Sequence, residues 1–139
     1  MNAVDTNIFI YSLDSRDPVK QAKAQQLLRQ LLSGPQPAYL LWQVLGELVN
    51  QLRRWKDQGQ ITSVEFSKHV QTFRSKYPLL LPTSAVMDHA LDMANRHSLS
   101  HWDSMILGAC KEAGVTTLFT EDMGSPTTID GIQLLNPVI

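Results

Sequence analysis

Cysteine is almost missing from this sequence: Cys110 is the only one in 139 residues. A lone thiol excludes an internal disulfide and a cysteine-based zinc site, and it fits a reducing compartment, so the chain is expected to be cytoplasmic. Long apolar runs are absent too, which leaves no candidate membrane span, and the N-terminus lacks the basic flank and apolar stretch of a signal peptide. Nor does one sign of charge dominate. Twelve Lys and Arg stand against 13 Asp and Glu, a formal net charge of −1, so bulk electrostatics does not announce a nucleic-acid binder. With no repeat, linker or low-complexity tract, residues 1–139 are expected to form a single domain.

What is present is an alternation of short apolar segments and helical patterns. Ala3-Val4 reads as a short buried strand, followed by the polar break Asp5-Thr6-Asn7 and an apolar continuation, Ile8 to Tyr11. Asp17-Pro18 gives an N-cap with proline at the first helical position, and the helix it opens ends near Ser33-Gly34. After a Pro-rich turn, Leu41, Leu45, Leu48 and Leu52 recur at helical spacing up to Gly59, in what should be the longest helix. Thr62 and Glu65 have capping-box spacing for a helix running towards Tyr77-Pro78. Leu79 to Leu81 is a second candidate strand. Ser84 and Ser100 can cap two further helices, the later one closed by Gly114. Val115 to Thr120 and Ile132 to Leu135 read as the last strands. Strands alternating with helices predict an α/β protein, a mostly parallel sheet with helices on both faces.

In such a sheet ligands bind beyond the carboxyl ends of the strands. Asp5 closes the first strand and Asp122 follows Leu118-Phe119-Thr120, so parallel strands bring both acids to one edge. Asp103 lies in the first turn of its helix, where an anion is favoured, and shares a face with Leu107 and Cys110. Glu47 sits on the flank of the leucine stripe, in line with Gln43, Gln51 and Arg54. Each acid alone has an ordinary explanation: an Asx turn, a helix N-terminal anion, a solvated helix residue, a loop acid. Together they make a cluster of like charge. Without Arg or Lys in the same motifs, such a cluster calls for a hard divalent cation, Mg²⁺ or Mn²⁺, on oxygen ligands. The four histidines show no zinc-ligand spacing, although His101 is near enough to Asp103 to support it.

Four segments, Val4-Asp5-Thr6-Asn7-Ile8, Glu47-Leu48-Val49-Asn50, Asp103-Ser104-Met105-Ile106 and Thr120-Glu121-Asp122, resemble in order the motifs of PIN domains, most closely the VapC-type toxins of bacterial toxin-antitoxin pairs. The resemblance spans nearly the whole chain, including a closing strand and Asn-Pro turn at Ile132 to Pro137. It implies a three-layer α/β/α sandwich and metal-dependent endonuclease cleavage of RNA. It makes Asp5, Glu47, Asp103 and Asp122 the catalytic and metal-binding acids, with Thr6, Asn7 and Thr120 as polar supports. It also implies an antitoxin partner and a homodimer, for which the helix from Thr62 to Lys76 with the preceding Trp55 offers an apolar side. Two features depart from the pattern. Glu121 is adjacent to Asp122, so either could be the fourth acid, and Gly124-Ser125-Pro126 stands where many relatives carry an aromatic residue.

Arg53-Arg54-Trp55-Lys56 is the densest basic stretch and suits phosphate contact with base stacking. Other acid-rich functions fit less well. A phosphate-accepting regulatory domain needs a lysine beyond a late strand, and an aspartyl phosphatase ordinarily shows Asp-x-Asp where this chain has Asp5-Thr6-Asn7. The alternatives that remain are a catalytically silent PIN-like RNA- or protein-binding module and a housekeeping PIN nuclease without an antitoxin.

Overall fold

A computed structural model describes all 139 residues. In chain order the elements are β1 (Asn2–Val4), α1 (Thr6–Leu13), α2 (Pro18–Ser33), β2 (Ala38–Leu41), α3 (Trp42–Asp57), α4 (Ser63–Lys76), β3 (Leu79–Leu80), α5 (Ala85–Arg96), α6 (His101–Ala113), β4 (Thr117–Phe119), β5 (Thr127–Ile129) and β6 (Ile132–Leu135). The strands form one sheet in the order β3-β2-β1-β4-β6-β5. Every pairing is parallel except that of β5 with β6. The architecture is the expected α/β/α sandwich.

Chain order sets where a site can form. From β1 the chain steps outward to β2 and β3, then crosses back to place β4 on the other side of β1. The gap between β1 and β4 is therefore the topological switch point, where the connections leaving the two strands diverge and open a crevice. The strands are short and buried: Ala3, Val4, Leu40, Leu118 and Leu134 have no exposed surface.

Local chemistry explains most boundaries. Asp17 accepts from the Lys20 amide ahead of Pro18. Thr62 and Glu65 complete a reciprocal capping box, and Ser100 accepts from the Asp103 amide. Gly114 takes the left-handed conformation at φ 74° that ends α6. The apolar continuation after Asp5 is helical: the Asp5 carboxylate accepts from the Thr6 amide and starts α1, which buries Ile8 and Phe9. Ser84 occupies its cap position without a side-chain hydrogen bond. β2 and β5 were not expected from the sequence, and α3 matches α2 in length at 16 residues rather than exceeding it. Helices α5 and α6 pack so closely that a Cβ on Gly108 would lie 2.7 Å from the Val86 carbonyl oxygen.

Candidate active site

Val4 is in register with Phe119, and Phe119 with Leu135. One residue further, the Asp5 amide donates to the Phe119 carbonyl at 2.9 Å and the Thr120 amide to the Leu135 carbonyl at 2.8 Å. The ladder thus delivers Asp5 and Thr120 side by side at the mouth of the crevice. Both are buried, Asp5 with 6% of its surface exposed and Thr120 with none. Asp5 Oδ1 accepts from the Thr6 amide at 2.7 Å, and Oδ2 accepts from the Thr120 hydroxyl at 2.8 Å. Thr120 Oγ1 in turn accepts from the Asp122 amide at 3.1 Å. One threonine links two of the acids.

Burial drives the Asp5 carboxyl up from 3.8 to about 6. The hydrogen bonds from Thr120 and Thr6 oppose the rise, and the charges of Glu47 and Asp122 add to it. The Asp122 carboxyl is also raised, by desolvation first and then by the charges of Glu121 and Asp103. Asp5 thus feels the charges of Glu47 and Asp122, and Asp122 those of Glu121 and Asp103. Glu47, exposed on α3, accepts from the Gln43 amide at 3.0 Å, and the same amide reaches the Trp102 carbonyl at 3.2 Å, tying α3 to the start of α6 beside Asp103. Asp103 is partly buried, as its helix face predicts. No three Asp, Glu, His or Cys side chains stand close enough together to hold an ion as they are.

Glu121 behaves differently from its neighbour. Its Oε1 accepts from the Tyr11 hydroxyl at 2.6 Å and the Asn7 amide at 3.3 Å, and its Oε2 pairs with Lys20 at 3.1 Å. Both oxygens are therefore occupied. Asn7 bonds to Glu121 rather than to Asp5, which its motif did not reveal, and Tyr11 and Lys20 are further partners of Glu121 that sequence reasoning missed. Only long-range contact identifies them. His101 stands edge-on to Trp102 instead of supporting Asp103.

Of the basic stretch, Arg53 and Arg54 are exposed but Trp55 is not: it is 5% exposed in the core, with the Arg16 guanidinium 5.8 Å from its ring. Base stacking on Trp55 is thereby excluded, because helical periodicity puts it in line with the buried Leu48 and Leu52. The α4 face is likewise largely spent inside the domain. Phe73 packs edge-on against Phe9, Phe66 and Val70 are partly buried, and only Val64 is fully presented to solvent. The larger apolar surface lies at the start of α3 and α6, where Trp42 and Trp102 flank a cavity of about 440 Å³ also lined by Leu81, Val86 and Met105.

An α/β/α fold with an acidic crevice at the switch point of its parallel sheet defines the class of protein. The chain matches the PIN domain over residues 3–124 and belongs to that family. This membership supports nuclease chemistry. Among solved structures it is similar to a chain of a toxin-antitoxin complex from Klebsiella pneumoniae, with 15% identity, a TM-score of 0.73 and coverage of 99% of this chain and 98% of that one. VapBC2 from Rickettsia felis, bound to a DNA fragment from its promoter, gives 15% identity and a TM-score of 0.69 over 97% of each chain. VapC20 of Mycobacterium tuberculosis, described as a toxin that cleaves the sarcin-ricin loop, gives 17% identity and a TM-score of 0.65 over 89% of this chain and 92% of that one. At these identities the likeness concerns the fold. No curated protein sequence matched.

Proposed function

We propose that the chain is a divalent-metal-dependent endoribonuclease whose active-site acids are Asp5, Glu47, Asp103 and Asp122, and that it is the toxin of a toxin-antitoxin pair. The observation that carries this reading is Asp5, a buried carboxyl pushed up to about 6 with further acids around it and no Lys or Arg among the causes acting on it. Gathering like charges without a cation is costly, and an oxygen-only donor set suits Mg²⁺ or Mn²⁺. The Thr6 hydroxyl, buried and without a partner beside Asp5, is the kind of leftover donor or acceptor that an ordered water satisfies. The chemistry of the donor set therefore suits a hydrated hard cation.

Such an ion, when bound, lowers the pKa of a coordinated water and stabilises charge developing on the phosphate. Asp5 is the fixed member of the set, braced by the Thr6 amide and the Thr120 hydroxyl. Thr120 orients Asp5 and the backbone of Asp122 together. Glu47 and Asp103 close the crevice from α3 and α6, held in relation by Gln43. Arg53 and Arg54, exposed near the end of α3, would contact RNA phosphates. Thr6, Ser104 and Thr120 are not nucleophiles in this scheme: the hydroxyls of Thr6 and Ser104 meet no base, and that of Thr120, fully buried, is spent on orienting the Asp5 carboxylate.

Cleavage of RNA that stops with EDTA and returns with Mg²⁺ or Mn²⁺ tests the proposal. No divalent-ion binding by calorimetry, with or without RNA, would refute it. One observation favours a catalytically silent binding module instead, namely that no three acidic side chains form a group that could hold an ion as they stand. RNA bound but uncut under every metal condition would establish that module.

An antitoxin partner, a homodimer and a cytoplasmic location belong to the same proposal. Support comes from the toxin-antitoxin complexes among the similar structures, and for location from the buried free thiol of Cys110. No helix is long and apolar enough to cross a membrane. Growth arrest on expression, relieved by a small reading frame encoded immediately upstream, is expected of a toxin; a chain harmless when expressed alone would indicate a housekeeping nuclease. Light scattering at micromolar concentration reports the dimer.

A further inference from the structure

We propose that Glu121 is not a fourth metal ligand but a positioning residue: tied to Lys20, Tyr11 and Asn7, it locks the loop after β4 so that Asp122 and Thr120 stay aligned with Asp5. The proposal rests on the nuclease reading for its catalytic consequence, though not for the lock itself. Three observations carry it. First, both Glu121 oxygens are committed, with Tyr11 and Asn7 on one and Lys20 on the other, whereas no side-chain hydrogen bond or ion pair engages the Asp122 carboxylate, whose residue is held through its backbone alone.

Second, the partners come from two different elements. Asn7 and Tyr11 are one turn apart on α1, the helix that Asp5 caps, and Lys20 is in the first turn of α2. Lys20 also donates to the Tyr11 hydroxyl at 3.2 Å and lies 4.6 Å from the centre of its ring. The ion pair is half-shielded, with the Glu121 side chain 18% exposed and that of Lys20 34%, and three donors converge on one carboxylate. Such a network holds geometry better than an isolated surface pair does.

Third, the loop needs an anchor. Beyond Asp122 it turns through positive φ at Met123 (59°) and Gly124 (72°), and no strand forms again until Thr127. Its remaining ties are the Asp122 amide to Thr120 Oγ1, the Ser125 amide to the Asp122 carbonyl, and the Ser125 hydroxyl to the Thr120 carbonyl. These three are internal to the loop. Beyond Thr120, whose hydroxyl reaches Asp5, and Met123, which packs on the core, Glu121 is the residue of the loop whose side chain bonds to α1 and α2, so its loss should loosen Asp122 without disturbing the sheet.

Hydrogen exchange on the intact chain without metal reads the lock directly through the Asp122 amide. In Glu121→Gln and Lys20→Met, exchange across residues 120–123 should speed by roughly tenfold while the core amides are unchanged. The double charge swap, Glu121→Lys with Lys20→Glu, should recover part of the protection. Calorimetric Mg²⁺ affinity should fall several-fold in the single variants, and kcat at fixed Mg²⁺ should drop while KM for RNA holds. Unchanged exchange in Glu121→Gln would overturn the proposal. So would loss of metal binding as complete as in Asp122→Asn with no recovery in the swap, which would make Glu121 a ligand. If the unaltered chain binds no divalent ion, the nuclease reading fails, and the exchange result still decides the lock.

Discussion

Replacing Asp5 by Asn should stabilise the metal-free protein while abolishing its activity. Asp5 is nearly buried, and its carboxyl is raised from 3.8 to about 6. A carboxyl raised on folding favours the folded state at low pH and costs stability as pH climbs through the folded value; for Asp5 the window runs from about 4 to somewhat above 6. Over that window the ionised group costs about 3 kcal/mol. Asparagine keeps the shape and removes the charge. It also gives up one of two acceptors, for the Thr6 amide and the Thr120 hydroxyl, at about 1 kcal/mol. The net gain at pH 8 is about 1–2 kcal/mol, or roughly 4–8 °C in Tm for a domain of this size.

Thermal melts in EDTA from pH 4.5 to 8.5 measure this difference. The two proteins should nearly coincide at the acid end, separate until the pH is somewhat above 6, and keep a constant gap beyond it. Saturating Mg²⁺ should invert the order, since a ligand at a hundred times its Kd adds about 2.7 kcal/mol to the protein that binds it. An Asp5→Asn variant less stable than wild type at pH 8 in EDTA, or a gap independent of pH, would refute the electrostatic account of the crevice.

Asp103→Asn and Asp122→Asn should each lower RNA cleavage by roughly a hundredfold or more while circular dichroism stays native. Thr120→Val removes the bond that lowers Asp5, so the acid limb of the pH-rate profile should move to higher pH and kcat should fall about tenfold. Gly108→Ala presses a methyl group against the Val86 carbonyl and the Ala90 amide; denaturant melts should show a loss of about 1–3 kcal/mol. Cys110 is buried, and burial and the Asp5 charge push its thiol well above the usual range, so a thiol reagent should modify it only after unfolding.

Helix starts were the legible part of this fold because they are written in adjacent residues. Thr62 and Glu65, Asp17 and Pro18, and Ser100 each satisfy backbone donors a few positions away, and those bonds form as read. β2 escaped because no such mark separates it from α3: Leu41 is at once the last strand residue and the helix N-cap, with no side-chain cap bond. Its four residues merge into the leucine pattern that follows. β5 did leave a signal. Asp130-Gly131 between Ile129 and Ile132 is a two-residue hairpin turn, with φ of 49° and 79°. Its anchoring by Arg96, Lys111 and His97 joins segments distant in sequence.

The acids divide along the same line. Asp5 and Asp122 follow from strand ends, since a parallel register delivers the residues after Val4 and Phe119 to the same edge whatever the helices do. Glu47 and Asp103 depend on helix rotation. For these, the sequence reading rests on the buried stripe: Val44, Leu48 and Leu52 fix which side of α3 faces inward, and Ile106, Leu107 and Cys110 do so for α6. The choice between Glu121 and Asp122 obeys neither rule. Adjacent loop residues point different ways, and what separates these two is a lysine 101 positions earlier in the chain. A carboxylate already matched by that cation and two neutral donors has little left to offer an ion, whereas Asp122, raised by the charges of Glu121 and Asp103, relieves repulsion by accepting one. The proposed assignment of Asp5 and Asp122 as functional acids thus rests on electrostatic frustration, and that of Glu121 as structural support on electrostatic satisfaction.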